Sequence, residues 1–157
     1  MVFTPKSMLR LKAAACSVDQ FTHGTFEPII PDTEVAADKV DRVVLVSGKL
    51  YWDLVAARKK AGDEKTAIVR VEQLYPLDGD LMNEVLGRYP SSAELYWAQE
   101  EPANQGAWPF MALNLTPLLD GRQMTLVSRG ASASPATGLK KVHDAEQSGL
   151  VERVFDR

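Results

Sequence analysis

Among 157 residues the chain has one cysteine, Cys16, and two histidines, His23 and His143. A single thiol cannot close an internal disulfide. With no apolar signal segment at the start, the sequence points to a reducing, cytoplasmic setting. Cys16 is expected to be a small, buried or half-buried hydrophobe rather than a reactive thiol. Neither histidine belongs to a His-x-x-x-His pair, so a metal centre has no sequence support. His143 is read as a surface or capping residue of a helix and His23 as a turn residue. Long hydrophobic runs are also missing, and none approaches the ~18 residues of a membrane span. Nor is there an excess of positive charge. The net charge of −3 and pI near 5.4 provide no basic field for nucleic acid.

What is present is an ordinary globular composition, 45% hydrophobic and 25% charged. A domain of about 150 residues hides roughly 68–70% of its unfolded surface and needs neither disulfides nor metal to fold. Residues 1–25 lack a sustained period and read as an irregular arm, and residues 26–157 as a single α/β domain. There strands and helices alternate. Strands are expected at 42–47, 66–71, 94–99 and 124–128, and helices at 48–61, 77–89, 105–119 and 138–150. Gly62 suits a helix C-cap, Asp78 an N-cap, and Pro109 the first turn of its helix, where a missing amide proton costs little. The cluster Arg58-Lys-Lys60 is expected to end a solvated helix. Such alternation implies a parallel-rich sheet between helical layers.

Function-bearing residues gather in two stretches. Gln99-Glu-Glu-Pro-Ala-Asn-Gln-Gly-Ala-Trp108 and Ser128-Arg-Gly-Ala-Ser-Ala-Ser-Pro-Ala-Thr-Gly138 each follow an apolar run. Both are expected just past a strand's carboxyl end, where open α/β sheets place ligand and partner contacts. Glu100 and Glu101 are adjacent on an extended segment and point to opposite faces, so they cannot readily act as an acid/base pair. One is read as inward and hydrogen-bonded, the other as exposed or partner-facing. Asn104, Gln105 and Gly106 can form the turn opening the next helix. Trp108 packs that helix against the sheet or a neighbouring subunit. Arg129, with the hydroxyls of Ser128, Ser132 and Ser134, is suitable chemistry for a phosphate or carboxylate. The alternative is an ion pair from Arg129 to Glu100 or Glu101. Lys49, in Ser47-Gly-Lys49, follows a strand and opens a helix like the end of a P-loop. Val43 stands where that motif requires glycine, and no Gly-x-Gly-x-x-Gly follows any strand.

The two stretches, together with Phe3-Thr-Pro-Lys-Ser-Met-Leu-Arg10 and Phe26-Glu-Pro-Ile-Ile-Pro-Asp32, closely resemble the C-terminal region of the thiamine-diphosphate-dependent 2-oxoglutarate dehydrogenase and decarboxylase component. The resemblance runs in order over nearly the whole chain. Met8-Leu-Arg-Leu-Lys-Ala-Ala14 is most similar to the actinobacterial branch of large multifunctional chains. The resemblance implies a transketolase C-terminal fold, a three-layer α/β/α sandwich with a five-stranded, mostly parallel mixed sheet. Residues 26–30 would be its antiparallel strand. It also implies a noncatalytic structural and regulatory domain of a homodimeric parent. In that parent, earlier domains hold thiamine diphosphate and Mg²⁺, and a succinyl group passes to the lipoyl carrier of an acyltransferase component. This chain lacks a Gly-Asp-Gly diphosphate motif with its downstream asparagines, so no cofactor is assigned to it and the isolated chain is expected to be inactive. The resemblance makes acetyl-CoA the expected effector, bound where this domain meets another. Ser128, Arg129 and Lys49 are the phosphate candidates on chemistry alone. A dimer-derived domain should also expose apolar side chains, with Trp108, Phe110, Phe21 and Phe26 as candidates. The alternatives are a free-standing acyl-CoA or nucleotide-binding module, or the equivalent domain of another thiamine-dependent enzyme.

Overall fold

The computed structural model describes residues 4–156. The first three residues of the expected arm, Met1 to Phe3, and Arg157 lie outside the described residues. Five strands form one sheet: β1 (Ile29–Ile30), β2 (Arg42–Val46), β3 (Thr66–Val71), β4 (Glu94–Pro102) and β5 (Met124–Arg129), in the order β1-β3-β2-β4-β5. All neighbours are parallel except β1, which runs antiparallel to β3. Among the described residues the α-helices are α1 (Val18–His23), α2 (Leu50–Ala61), α3 (Gly79–Leu86), α4 (Trp108–Asn114) and α5 (Lys140–Phe155).

The apolar run of β2 is buried from end to end, as expected of a parallel strand covered on both faces. Its side chains alternate between two cores. Val43 and Leu45 join Trp97, Met82 and Val85 of α3 and Met111 of α4 on one face. Val44 and Val46 join Leu50 and Leu54 of α2 and Leu150 and Val154 of α5 on the other. This is the three-layer sandwich, and its last helix is pinned to its first long strand. Arg42 Nη1 donates to the carbonyls of Val154 at 2.7 Å and Asp156 at 2.6 Å. The other side of the guanidinium meets Glu94, and its plane lies over the Tyr96 ring.

Several expectations change. The arm has local order: two 3-10 turns, Lys6–Arg10 and Lys12–Ala14, precede α1. Ser17 Oγ accepts from Gln20 N, and Gln20 Oε1 accepts from Ser17 N, a capping box legible as Ser-x-x-Gln. These three elements bury no side chain. Cys16 is therefore exposed rather than buried. His23 ends α1 instead of occupying a turn, with Nδ1 2.9 Å from Asp19 Oδ1. The antiparallel strand keeps only Ile29 and Ile30 of the expected 26–30, while β4 and α5 run on to Pro102 and Phe155.

Arg58 differs most from expectation. Its side chain is 5% exposed and pairs with Asp32, itself 4% exposed. It also donates to Glu34 at 2.8 Å and to the Thr66 carbonyl at 3.1 Å. Asp32 in turn accepts from Ile68 N at 2.7 Å. Burial would push the guanidinium down, but hydrogen bonding and attraction from Asp32 and Glu34 outweigh it and hold Arg58 above its usual range.

Candidate functional site

At the carboxyl edge of β4 the ladder becomes irregular, with a register shift between Ala98 and Pro102. The first motif thus begins inside the strand rather than past it. Gln99 is buried there. Its Oε1 accepts from the Trp97 indole at 3.0 Å and from Trp108 N at 2.8 Å. Its Nε2 donates to the carbonyls of Pro102 at 3.1 Å and Gln105 at 2.7 Å, with Glu101 O at 3.4 Å. One amide therefore closes the turn that follows it and seats the first residue of α4. Gly106 completes the turn at φ 68°. A Cβ there would lie 2.9 Å from Glu101 Cβ and 3.0 Å from Gln99 Nε2.

Asn104 joins this turn to the second motif. Its Oδ1 accepts from Ser132 N and its Nδ2 donates to Ser132 O, both at 3.0 Å. Gln105 Nε2 adds a bond to the same carbonyl at 2.9 Å. Two loops that leave neighbouring strands are thus clamped into one surface. The adjacent carboxylates part as alternation requires: Glu100 pairs with half-buried Lys49, and Glu101 is exposed.

Arg129 does not reach Glu100 or Glu101. It turns beneath α5, where Nη1 is 3.5 Å from Glu146 and Nη2 meets Gln147 Oε1 at 3.0 Å and His143 Nδ1 at 3.1 Å. Because a guanidinium only donates, Nδ1 is the acceptor. Arg129 Nε is buried with no hydrogen-bond partner. Thr137 donates to Glu146 at 2.6 Å. Ser128 Oγ donates to the Arg129 carbonyl at 2.9 Å, and Arg153 donates to the Ser128 carbonyl. Together these elements border a cleft of about 520 Å³ walled by Pro102, Arg129, Ser132, Thr137 and Glu146. A second, of about 360 Å³, shares Arg129 and Glu146 and includes Arg153. Lys49 lines neither cleft.

Glu146, Gln147 and Arg153 were absent from the expected site, and Ser132 enters it through its backbone rather than its hydroxyl. A signal for Gln147 existed: His143, Gln147, Leu150 and Val154 fall on one helical stripe, and its last two members are core. The pairing of Asn104 with Ser132 had none, since it depends on the tertiary approach of two loops. Trp108 and Phe110 pack against the core as half-buried residues, while Phe21 and Phe26 are 79% and 67% exposed. Among the described residues, no group of three or more His, Cys, Asp or Glu could hold a metal ion, and no helix is long and apolar enough to cross a membrane.

The family described as 2-oxoglutarate dehydrogenase C-terminal matches residues 15–155. A Corynebacterium glutamicum protein named 2-oxoglutarate dehydrogenase E1/E2 component is 46% identical over 99% of this chain and 13% of its own length. A Mycobacterium sp. (strain KMS) multifunctional 2-oxoglutarate metabolism enzyme is 43% identical, with the same coverage. The Cupriavidus necator 2-oxoglutarate dehydrogenase E1 component is 42% identical over 99% of this chain and 16% of its own. The chain therefore spans about a seventh of the length of these relatives. Among solved structures, a split-gene transketolase, described as an inactive β4 tetramer, superposes with a TM-score of 0.52 at 18% identity over 82% of this chain and 41% of that one. At that identity the likeness shows the fold, which is transketolase C-terminal-like.

Proposed function

Because the chain belongs to the 2-oxoglutarate dehydrogenase C-terminal family, we propose that it is the noncatalytic C-terminal domain of a thiamine-dependent, cytoplasmic 2-oxoglutarate dehydrogenase or decarboxylase. It supports a homodimer, works beside an acyltransferase component and carries an acyl-CoA effector site. The observation that carries this reading is the match to relatives at 42–46% identity over 99% of the chain but only 13–16% of their length. The arm and the residue that follows it support it: Leu9, Val18, Phe21 and Phe26 are 67–79% exposed, an apolar surface suited to burial in a larger protein. Thiamine diphosphate and Mg²⁺ are assigned to the remainder of the parent, because this sequence has no Gly-Asp-Gly diphosphate motif with its downstream asparagines. The chain alone, given both with 2-oxoglutarate, should reduce no ferricyanide. Turnover above a boiled control would overturn the noncatalytic reading.

The effector reading rests on the two clefts around Arg129. They are small enough to take a phosphate-bearing end and leave the rest of an acyl-CoA to a neighbouring domain. Arg129 holds the pivotal position, with a free buried Nε at a cleft wall. In the full-length parent, Arg129→Met should lower acetyl-CoA activation by about tenfold or more, equivalent to ~1.4 kcal/mol of binding or greater. If the variant melts far below the wild type and the folded fraction is activated normally, Arg129 only ties β5 to α5. The effector would then bind elsewhere.

A further inference from the structure

One surface is used by none of these roles. On the outer side of α2 and α5 lies a groove of about 700 Å³ that shares no lining residue with the two clefts, although His143 and Gln147 on its wall are the residues that hold Arg129. Its floor is apolar and small, with Ala56, Ala57 and Ala61 from α2 and Val151 and Phe155 from α5. Its rim is acidic: Asp53, Asp144, Glu152 and Asp156 face a single lining lysine, Lys60. Asp144 is answered by Lys140. Asp53 and Glu152 are held by neutral donors, the Gln147 amide at 2.9 Å and the Ser148 hydroxyl at 3.0 Å, so their charge stays uncompensated by those contacts.

Shape and charge together specify what fits. The lining residues run from position 53 to 61 along α2, about 12 Å, and from 143 to 156 across α5, about 20 Å, so the length is two to four helical turns. A floor of alanines lets another backbone approach closely, and the carboxylates, one on α2 and three on the α5 side, select cations at its flanks. We infer that the α2/α5 groove docks a basic amphipathic helix of a partner protein, with its apolar stripe on Ala57 and Phe155 and its Lys or Arg residues against Asp53 and Glu152. This is the helix-in-groove mode, in which anchors recur at helical spacing and flanking charge sets specificity.

The test uses the 157-residue chain and a fluorescein-labelled peptide of about 14 residues, leucine and lysine at amphipathic spacing. An otherwise identical peptide carrying glutamate in place of lysine is the control. Fluorescence anisotropy should show saturable binding of the lysine peptide, weakened at least tenfold by Asp53→Lys with Glu152→Lys, and no binding of the glutamate peptide. Both substituted carboxylates are on exposed residues, so the fold should survive, as circular dichroism would verify. Ala56→Arg, also exposed, should weaken binding by blocking the floor. Equal binding of both peptides, or affinity unmoved by the double reversal, would overturn the inference. So would self-association of the chain that Ala56→Arg abolishes, because the groove would then be an interface between copies.

Discussion

Gln99→Leu should destabilise the domain by about 3–5 kcal/mol, because leucine fills a similar space and satisfies none of the groups left behind. The Trp97 indole and the Trp108 amide would lose their acceptor, and the Pro102 and Gln105 carbonyls their donor. Each buried polar group left unpaired costs about 1–3 kcal/mol, with partial relief where the turn can open to water. For a domain of this size the midpoint of thermal unfolding should fall by roughly 10 °C or more. Gln99→Glu should not rescue it, because the carboxylate would face the two carbonyls that Nε2 now satisfies. Urea unfolding of the three proteins gives the comparison. A loss below about 1 kcal/mol in the leucine variant would mean that water replaces the amide.

The second large effect is expected far from the loops. Arg58→Met removes the guanidinium that faces the buried Asp32 carboxylate, and breaking a buried pair from one side costs about 3–5 kcal/mol. Asp32 keeps the Ile68 amide, which favours the low end of that range. Adding Asp32→Asn should recover a substantial part of the loss, since the uncompensated charge is then gone while a carbonyl acceptor remains. If the double variant is no more stable than Arg58→Met, the cost lies in lost packing of the arginine stem and not in the stranded carboxylate.

The contrast between these two residues explains how much could be read in advance. The continuous apolar runs at Arg42–Val46 and Thr66–Val71 mark strands covered on both faces, so the central strands and the sandwich were legible. Gln99 and Asn104 stood out because they sit in a dense turn motif, and family resemblance marked that motif. The bonds to Ser132 were not legible, since nothing local to either loop encodes which partner will arrive. Arg58 misled for a physical reason. A basic residue in the last turn of a helix usually faces water, where it favours the helix dipole. Here Asp32 and Glu34, which enter from the segment after β1, draw it inward. Arg129 likewise had plausible acceptors on the neighbouring strand, but its chain turns toward the α5 stripe that continues Leu150 and Val154.

The guanidinium of Arg42 makes the order of synthesis matter. It stands at the start of the central strand, yet the carbonyls that it grips belong to residues 154 and 156. A nascent chain that has emerged only through β5 presents Val44, Val46, Leu50 and Leu54 without the helix that covers them. One sheet face must then wait, apolar and incompletely covered, until α5 has emerged. Stalling or premature termination within α5 would therefore yield a fragment with all five strands and one sheet face covered by α2 alone, a species that chaperones or proteases would be expected to intercept.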